Sequence, residues 1–89
     1  MDRKIIYKTK NWASKGHTRD FVATIGGIET DGKLTVALVD NGERWRGKLQ
    51  IGEVEICLIK GRKIEAQRAI ARRLRRFVQN KNQLMELNQ

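Results

Sequence analysis

The chain has 89 residues, a formal net charge of +9 at pH 7 and a hydrophobic fraction of 39%. This length predicts one small domain rather than two, and this hydrophobic fraction excludes an intrinsically disordered composition. The N-terminus lacks the apolar core of a signal peptide, and no apolar run approaches the ~18 residues of a membrane span, so we expect a cytoplasmic protein without a membrane partner.

The first twenty residues are polar and basic around one short apolar run. That run, KIIYK at 4–8, is typical of a short edge strand. The stretch 9–20 contains a turn-prone Lys-Gly pair at 15–16 and favours a loop or a loosely ordered arm. It carries Trp12 and His17. A tryptophan in such a loop either covers one end of a core or contacts a ligand, and the sequence leaves both roles open.

Alternating apolar and polar residues predict four antiparallel strands between 21 and 59. The first strand meets a Gly-Gly pair at 26–27, where we expect a bulge or bend. The Asp-Gly pair at 31–32 then predicts a hairpin turn before a second strand that begins at Lys33, and the Asn-Gly pair at 41–42 predicts the next turn. Short turns pair neighbouring strands in sequence order, so the strands form a meander.

The third and fourth strands carry the next candidate residues. The third, 43–49, is apolar on one face and basic on the other. Its basic residues are Arg44, Arg46 and Lys48. Trp45 shares a face with Leu49 and is interpreted as core, although a tryptophan between two arginines is also typical of a base-stacking platform. The fourth strand, 53–59, holds the single cysteine, Cys57, which excludes an internal disulfide and is interpreted as a small buried residue.

The segment 62–80 has the period of a helix with two unlike faces. The apolar side holds Ala66, Ile70, Leu74, Phe77 and Val78, and the basic side holds Arg68, Arg72, Arg75 and Arg76. Like charges at i, i+4 repel by a few tenths of a kcal/mol, and only Glu65 is near enough to offset them. Stability does not favour this arrangement, so the basic side is either a binding face or a solvated face without a role. The tail, 81–89, extends the helix, makes a dimer contact or frays.

Together these elements predict an α+β domain, 1–89, in which four or five antiparallel strands are packed by one C-terminal amphipathic helix. Positive charge is concentrated at the two ends of the chain. Residues 1–20 carry +4 and residues 60–89 carry +7, whereas 21–59 carry −2. Charge of one sign, separated in this way, indicates a surface for a phosphate backbone or an acidic protein.

The sequence offers little for catalysis. The only histidine, His17, lies in the N-terminal segment, far along the chain from Cys57, and there is no glycine-rich phosphate loop. No grouping of residues is typical of a metal or cofactor site. We therefore expect a protein that is not an enzyme and has no cofactor, with a small basic nuclease as an alternative.

The function predicted best is non-catalytic binding of DNA or RNA by a monomer or homodimer. The candidate contact residues are Arg68, Arg72, Arg75 and Arg76 of the helix, Arg44, Arg46 and Lys48 of the third strand, and Lys10, Trp12 and Lys15 of the N-terminal segment. The alternative is a small interaction module or inhibitor, of the type that phages and plasmids encode, which docks on an acidic or nucleic-acid-binding host protein.

Three resemblances to known families accompany this prediction. The order of four strands and a helix resembles small single-strand-binding modules, such as PUR repeats and coactivator domains of that type. The segment Lys63–Leu74, KIEAQRAIARRL, is similar to the last helix of double-stranded-RNA-binding domains, and three strands with a helix resemble the arm-binding domains of phage integrases. These resemblances imply a nucleic-acid-binding fold. They extend to no diagnostic motif and imply no residue roles.

Overall fold

The computed structural model describes residues 4–87, and its architecture is a five-stranded antiparallel sheet packed by one helix. The elements are β1 (Ile5–Tyr7), β2 (Thr18–Ile25), β3 (Ile28–Val39), a short 3-10 turn (Asp40–Gly42), β4 (Arg44–Ile51), β5 (Val54–Lys60) and α1 (Lys63–Leu87). The strand order is β1-β2-β3-β4-β5, which is a meander. The predicted α+β fold is confirmed, and the apolar run at 4–8 supplies the fifth strand.

The turn between β2 and β3 lies at the Gly-Gly pair at 26–27, and the prediction of a turn at 31–32 is wrong. Ile25 pairs with Ile28 across a two-residue turn, and both glycines have positive φ, 60° and 81°. Glycine adopts this conformation without strain, as a two-residue hairpin turn requires. Consequently β3 begins five residues before its predicted start at Lys33.

Gly32 has a packing role instead of a turn role. It lies inside β3, opposite Phe21 of β2. A Cβ atom at Gly32 would lie 2.2 Å from Phe21 Cζ, so the missing side chain leaves room for the buried aromatic ring. The Asp-Gly pair has the composition of a turn, but burial of Phe21 determines its position in the sheet.

The core lies between α1 and one face of the sheet. Its buried members are Phe21, Ala23, Leu34, Val36, Leu49, Ile51, Ala66, Ile70, Leu74 and Val78. Gly47 of β4 allows the helix to approach closely, because a Cβ there would lie 3.1 Å from the Ala66 carbonyl oxygen. We call the opposite face, which α1 does not cover, the outer face of the sheet. One face of the sheet is therefore buried under α1, and the outer face is not.

Helix α1 runs through the predicted tail as far as Leu87, so the tail extends the helix. No glycine or proline interrupts the sequence 63–87, which favours one continuous helix. Asn82 ties its C-terminal half to the first hairpin: its Oδ1 accepts from Gly26 N at 2.9 Å, and its Nδ2 donates to Thr24 O at 3.0 Å. Positions 88 and 89 of the predicted tail lie outside the described residues.

Candidate functional site

The helix directs its arginines away from the sheet. Arg68, Arg72, Arg75 and Arg76 are exposed, while Ala66, Ile70, Leu74 and Val78 of the same helix are buried against the strands. Within residues 4–87, no carboxylate oxygen lies within 4.0 Å of these four guanidinium groups. The nearest helical acid by sequence, Glu65, instead pairs with Arg62 at 3.7 Å. We call these four arginines the arginine face.

The basic residues of β4 lie on the outer face of the sheet, and two of the three have acidic partners. Arg44 is ion-paired and hydrogen-bonded to Asp40. Lys48 Nζ lies 3.5 Å from Glu55 Oε1 on β5. Arg46 makes no ion pair with any residue between 4 and 87. The strand face that is purely basic in sequence therefore has acidic partners for two of its three cations.

The same compensation continues across the outer face towards β1. Lys8 Nζ lies 3.0 Å from Asp31 Oδ1, and Lys33 Nζ lies 3.9 Å from Asp20 Oδ1. Antiparallel register places Lys33 directly beside Asp20, so opposite charges face each other on adjacent strands. The outer face thus carries both signs, whereas the arginine face carries one.

The loop between β1 and β2, residues 8–17, is fastened to the beginning of α1. Lys63 Nζ donates to Lys15 O at 2.5 Å, and Gln67 Nε2 donates to Gly16 O at 2.7 Å. Sequence predicts this stretch as a loop or loosely ordered arm. The structure shows a loop whose carbonyl groups are bound by two side chains one helical turn apart.

Arg19 fastens the other end of the same loop, and sequence reasoning had not singled it out. Its guanidinium carbon lies 3.7 Å from the centroid of the Tyr7 ring. Its Nη2 donates to the carbonyls of Thr9 and Lys10 at 3.3 and 3.0 Å. The only signal in the sequence was its position two residues before Phe21, on the apolar side of β2. In the structure this position directs the Arg19 guanidinium to the loop carbonyls.

A groove of about 430 Å³ lies between this loop and the helix, and we call it the Trp12 groove. Its lining residues are Trp12, Arg19, Ile64, Gln67, Arg68, Ala71, Arg72 and Arg75. Trp12 is half-buried and packs against the core cluster. Trp12 therefore covers the edge of the core, which is one of the two roles left open, and it also lines a groove. The structure brings it together with three arginines more than fifty residues away in sequence.

A second, smaller groove flanks the helix on the β5 side. It is lined by Leu58, Ile59, Lys60, Ala69, Arg72, Arg73 and Arg76 and has a volume of about 220 Å³. Arg72 lines both grooves and so lies on the crest between them. Lys60 and Arg73 were not among the predicted contact residues. Both lie in the basic C-terminal region, and only the packing of α1 beside β5 shows that they share a groove.

Trp45 and Cys57 lie on opposite faces of the sheet, Trp45 on the helix side that it shares with Leu49 and Cys57 on the outer face. Trp45 is half-buried on the helix side, its ring centroid 5.8 Å from that of His17 and 5.5 Å from Lys63 Nζ. It therefore faces away from Arg44 and Arg46 of its own strand. Cys57 is exposed, so the prediction of a buried thiol is wrong. Its position between Glu55 and Ile59 in β5 places it on the outer face.

The remaining predicted contacts, Lys10 and Lys15, are exposed on the N-terminal loop. The carbonyl of Lys10 accepts a hydrogen bond from Arg19, and the carbonyl of Lys15 accepts one from Lys63.

Over the described range, 4–87, no three His, Cys, Asp or Glu side chains are grouped to hold a metal ion. No helix in that range combines the length and apolarity needed to cross a bilayer. Comparison of the chain with protein-family models, curated proteins and solved structures finds no match.

Proposed function

We propose that this protein binds nucleic acid, DNA or RNA, without catalysis, through phosphate contacts made mainly by the arginine face. The observation that carries the proposal is that four exposed arginines share one side of α1 with no acidic partner among residues 4–87. Their mutual repulsion disfavours the free protein and would be relieved by a polyanion.

The geometry of the face suits a phosphate backbone. Residues four apart on a helix are separated by ~6 Å along its axis, so Arg68, Arg72 and Arg76 form a regular row of charges. Each guanidinium presents several N–H donors in a plane, which matches two oxygens of one phosphate. The basic strand makes a smaller contribution, since Arg44 and Lys48 must first give up their carboxylate partners.

Two matched charge reversals test this proposal. The helix variant is Arg68→Glu with Arg72→Glu and Arg76→Glu, and the sheet variant is Arg44→Glu with Arg46→Glu and Lys48→Glu. Both change the net charge equally. Fluorescence anisotropy of labelled single-stranded DNA, duplex DNA and RNA should show a loss of roughly 100-fold or more for the helix variant and less than roughly 10-fold for the sheet variant.

Thermal melting of both variants verifies that they fold. Equal losses in folded variants would show that the two surfaces contribute alike, and a loss confined to the sheet variant would place the site on β4. Binding by the wild-type protein decides between the two candidate functions. If it binds no form of nucleic acid at physiological salt but saturably binds an acidic protein, then the alternative function, docking on a host protein, replaces this one.

A further inference from the structure

We propose that the Trp12 groove binds an unpaired nucleobase, so that the ligand of this protein is single-stranded nucleic acid. This inference rests on the proposed function and specifies the form of nucleic acid that the arginine face would bind. It depends on the meeting of an aromatic side chain and several cations in one cavity.

The groove has the size and the chemistry of a nucleotide site. Its volume of about 430 Å³ lies within the range of ~300–1,000 Å³ that small-ligand pockets occupy. Trp12 lines it from the loop, and Arg68, Arg72 and Arg75 line it from the helix. An indole ring offers a stacking surface to any base, and arginine binds the phosphate that follows. One groove can therefore hold both parts of a nucleotide.

The side of the groove formed by the loop is held in place before any ligand binds. Lys63 and Gln67 bind the carbonyls of Lys15 and Gly16, and Arg19 binds those of Thr9 and Lys10. Trp12 lies between these two sets of hydrogen bonds and packs on the core. Because the loop is already ordered, less conformational entropy is lost when a base enters.

An unpaired base is favoured over a paired one for a physical reason. In a duplex, each base stacks on its neighbours and hydrogen-bonds to its partner, so it reaches a side groove only after it is unstacked and unpaired at a cost in free energy. A single strand presents bases without that cost. A polyanion without bases, such as heparin, has no group that stacks on Trp12, so in this groove it can bind only the arginines.

Tryptophan fluorescence tests the inference directly. Trp45→Phe leaves Trp12 as the only tryptophan, and Trp12→Phe leaves Trp45, which lies outside the groove. Each protein is titrated with a short oligothymidylate, a duplex of the same length and heparin, while anisotropy measures binding of the labelled oligonucleotides. We expect saturable quenching of Trp12 by oligothymidylate alone, and no comparable change in the protein that retains Trp45.

The outcomes separate this inference from the proposed function. Binding of oligothymidylate without quenching of Trp12, or equal quenching by duplex or heparin, overturns the unpaired-base site and leaves phosphate binding intact. Absence of binding to every nucleic acid overturns the proposed function itself. Quenching by oligothymidylate alone, at the concentrations where anisotropy rises, supports both.

A second variant measures the contribution of the aromatic ring. Trp12→Leu keeps an apolar side chain at the core edge and removes the stacking surface. We expect its affinity for oligothymidylate to fall about 5- to 150-fold, which corresponds to the loss of one base–aromatic stack, and its affinity for heparin to stay within about twofold. An equal loss for both ligands would show that the ring only supports the fold.

Discussion

The arginine face and the outer face of the sheet contain similar numbers of cations but differ in what surrounds them. Arg68, Arg72, Arg75 and Arg76 have no carboxylate within reach among residues 4–87, whereas Arg44 and Lys48 are ion-paired across adjacent turns and strands. Exposed pairs contribute little to stability, with a median of about 0–1 kcal/mol. Their larger effect is on binding, because a paired cation must lose its partner before it contacts a phosphate.

This difference teaches that basic residues in a sequence cannot be counted as equivalent contacts. A helix meets solvent along one side and has neighbours only on the other, so its outward charges remain unpaired unless the helix itself supplies acids. A strand has neighbours on both sides, and cross-strand pairs can cancel its charge.

The arginine face depends on firm packing of α1, which Leu74→Ala should weaken most. Leu74 is fully buried, and its truncation should lower the free energy of unfolding by about 2–5 kcal/mol, measured by urea denaturation. Leu84→Ala on the same helix is the matched control, since Leu84 is 55% exposed and should change stability by less than about 0.5 kcal/mol. Similar values for both variants would mean that α1 does not pack on the sheet through this side.

The covered side of the sheet is tightly packed at Gly32, and Gly32→Ala should destabilise the fold by about 1–3 kcal/mol because the new methyl group overlaps the Phe21 ring. Gly61→Ala provides the control, because its Cβ would meet no atom within 4 Å. Thermal or urea melts compare the two. A neutral Gly32→Ala would contradict the close contact between Gly32 and the Phe21 ring, and with it the pairing of β2 with β3 described above.

Neutralising one arginine on each surface compares a cation without an acidic partner with one that is ion-paired. Arg72→Gln should weaken nucleic-acid binding by about 1 kcal/mol and reduce the slope of log affinity against log salt by about 0.7–0.9, as expected for one lost phosphate contact. Arg44→Gln should leave that slope unchanged, because Asp40 already engages this side chain. Anisotropy titrations at several salt concentrations measure both slopes. Equal slope changes would contradict the distinction between free and paired cations.

The smallest effect comes from releasing the paired cations. Asp40→Asn with Glu55→Gln removes the partners of Arg44 and Lys48 without touching the arginine face. We expect affinity for nucleic acid at low salt to rise a few-fold, by less than about 1 kcal/mol, with little change in stability. Glu29→Gln with Glu53→Gln is the control of equal charge, because neither carboxylate makes an ion pair within residues 4–87. An equal rise in both variants would reflect net charge alone.

Much of the fold follows from local sequence patterns. The period of two along the strands, the Asn-Gly pair at 41–42 and the two-sided pattern of 62–80 are sufficient to predict a meander followed by an amphipathic helix. The same pattern places Arg68, Arg72 and Arg76 on the side away from Ile70 and Leu74, as the structure does. These features depend only on residues a few positions apart, which is why the sequence by itself determined them.

Tertiary structure decided the features that depend on distant residues. The first turn lies at 26–27 rather than 31–32, a register that leaves space for Phe21 opposite Gly32 and places Asp20 beside Lys33 on the outer face. The Trp12 groove exists because hydrogen bonds from Lys63 and Gln67 hold the N-terminal loop against α1. Local periodicity fixes which side a residue faces, but long-range packing selects the residue that it meets there.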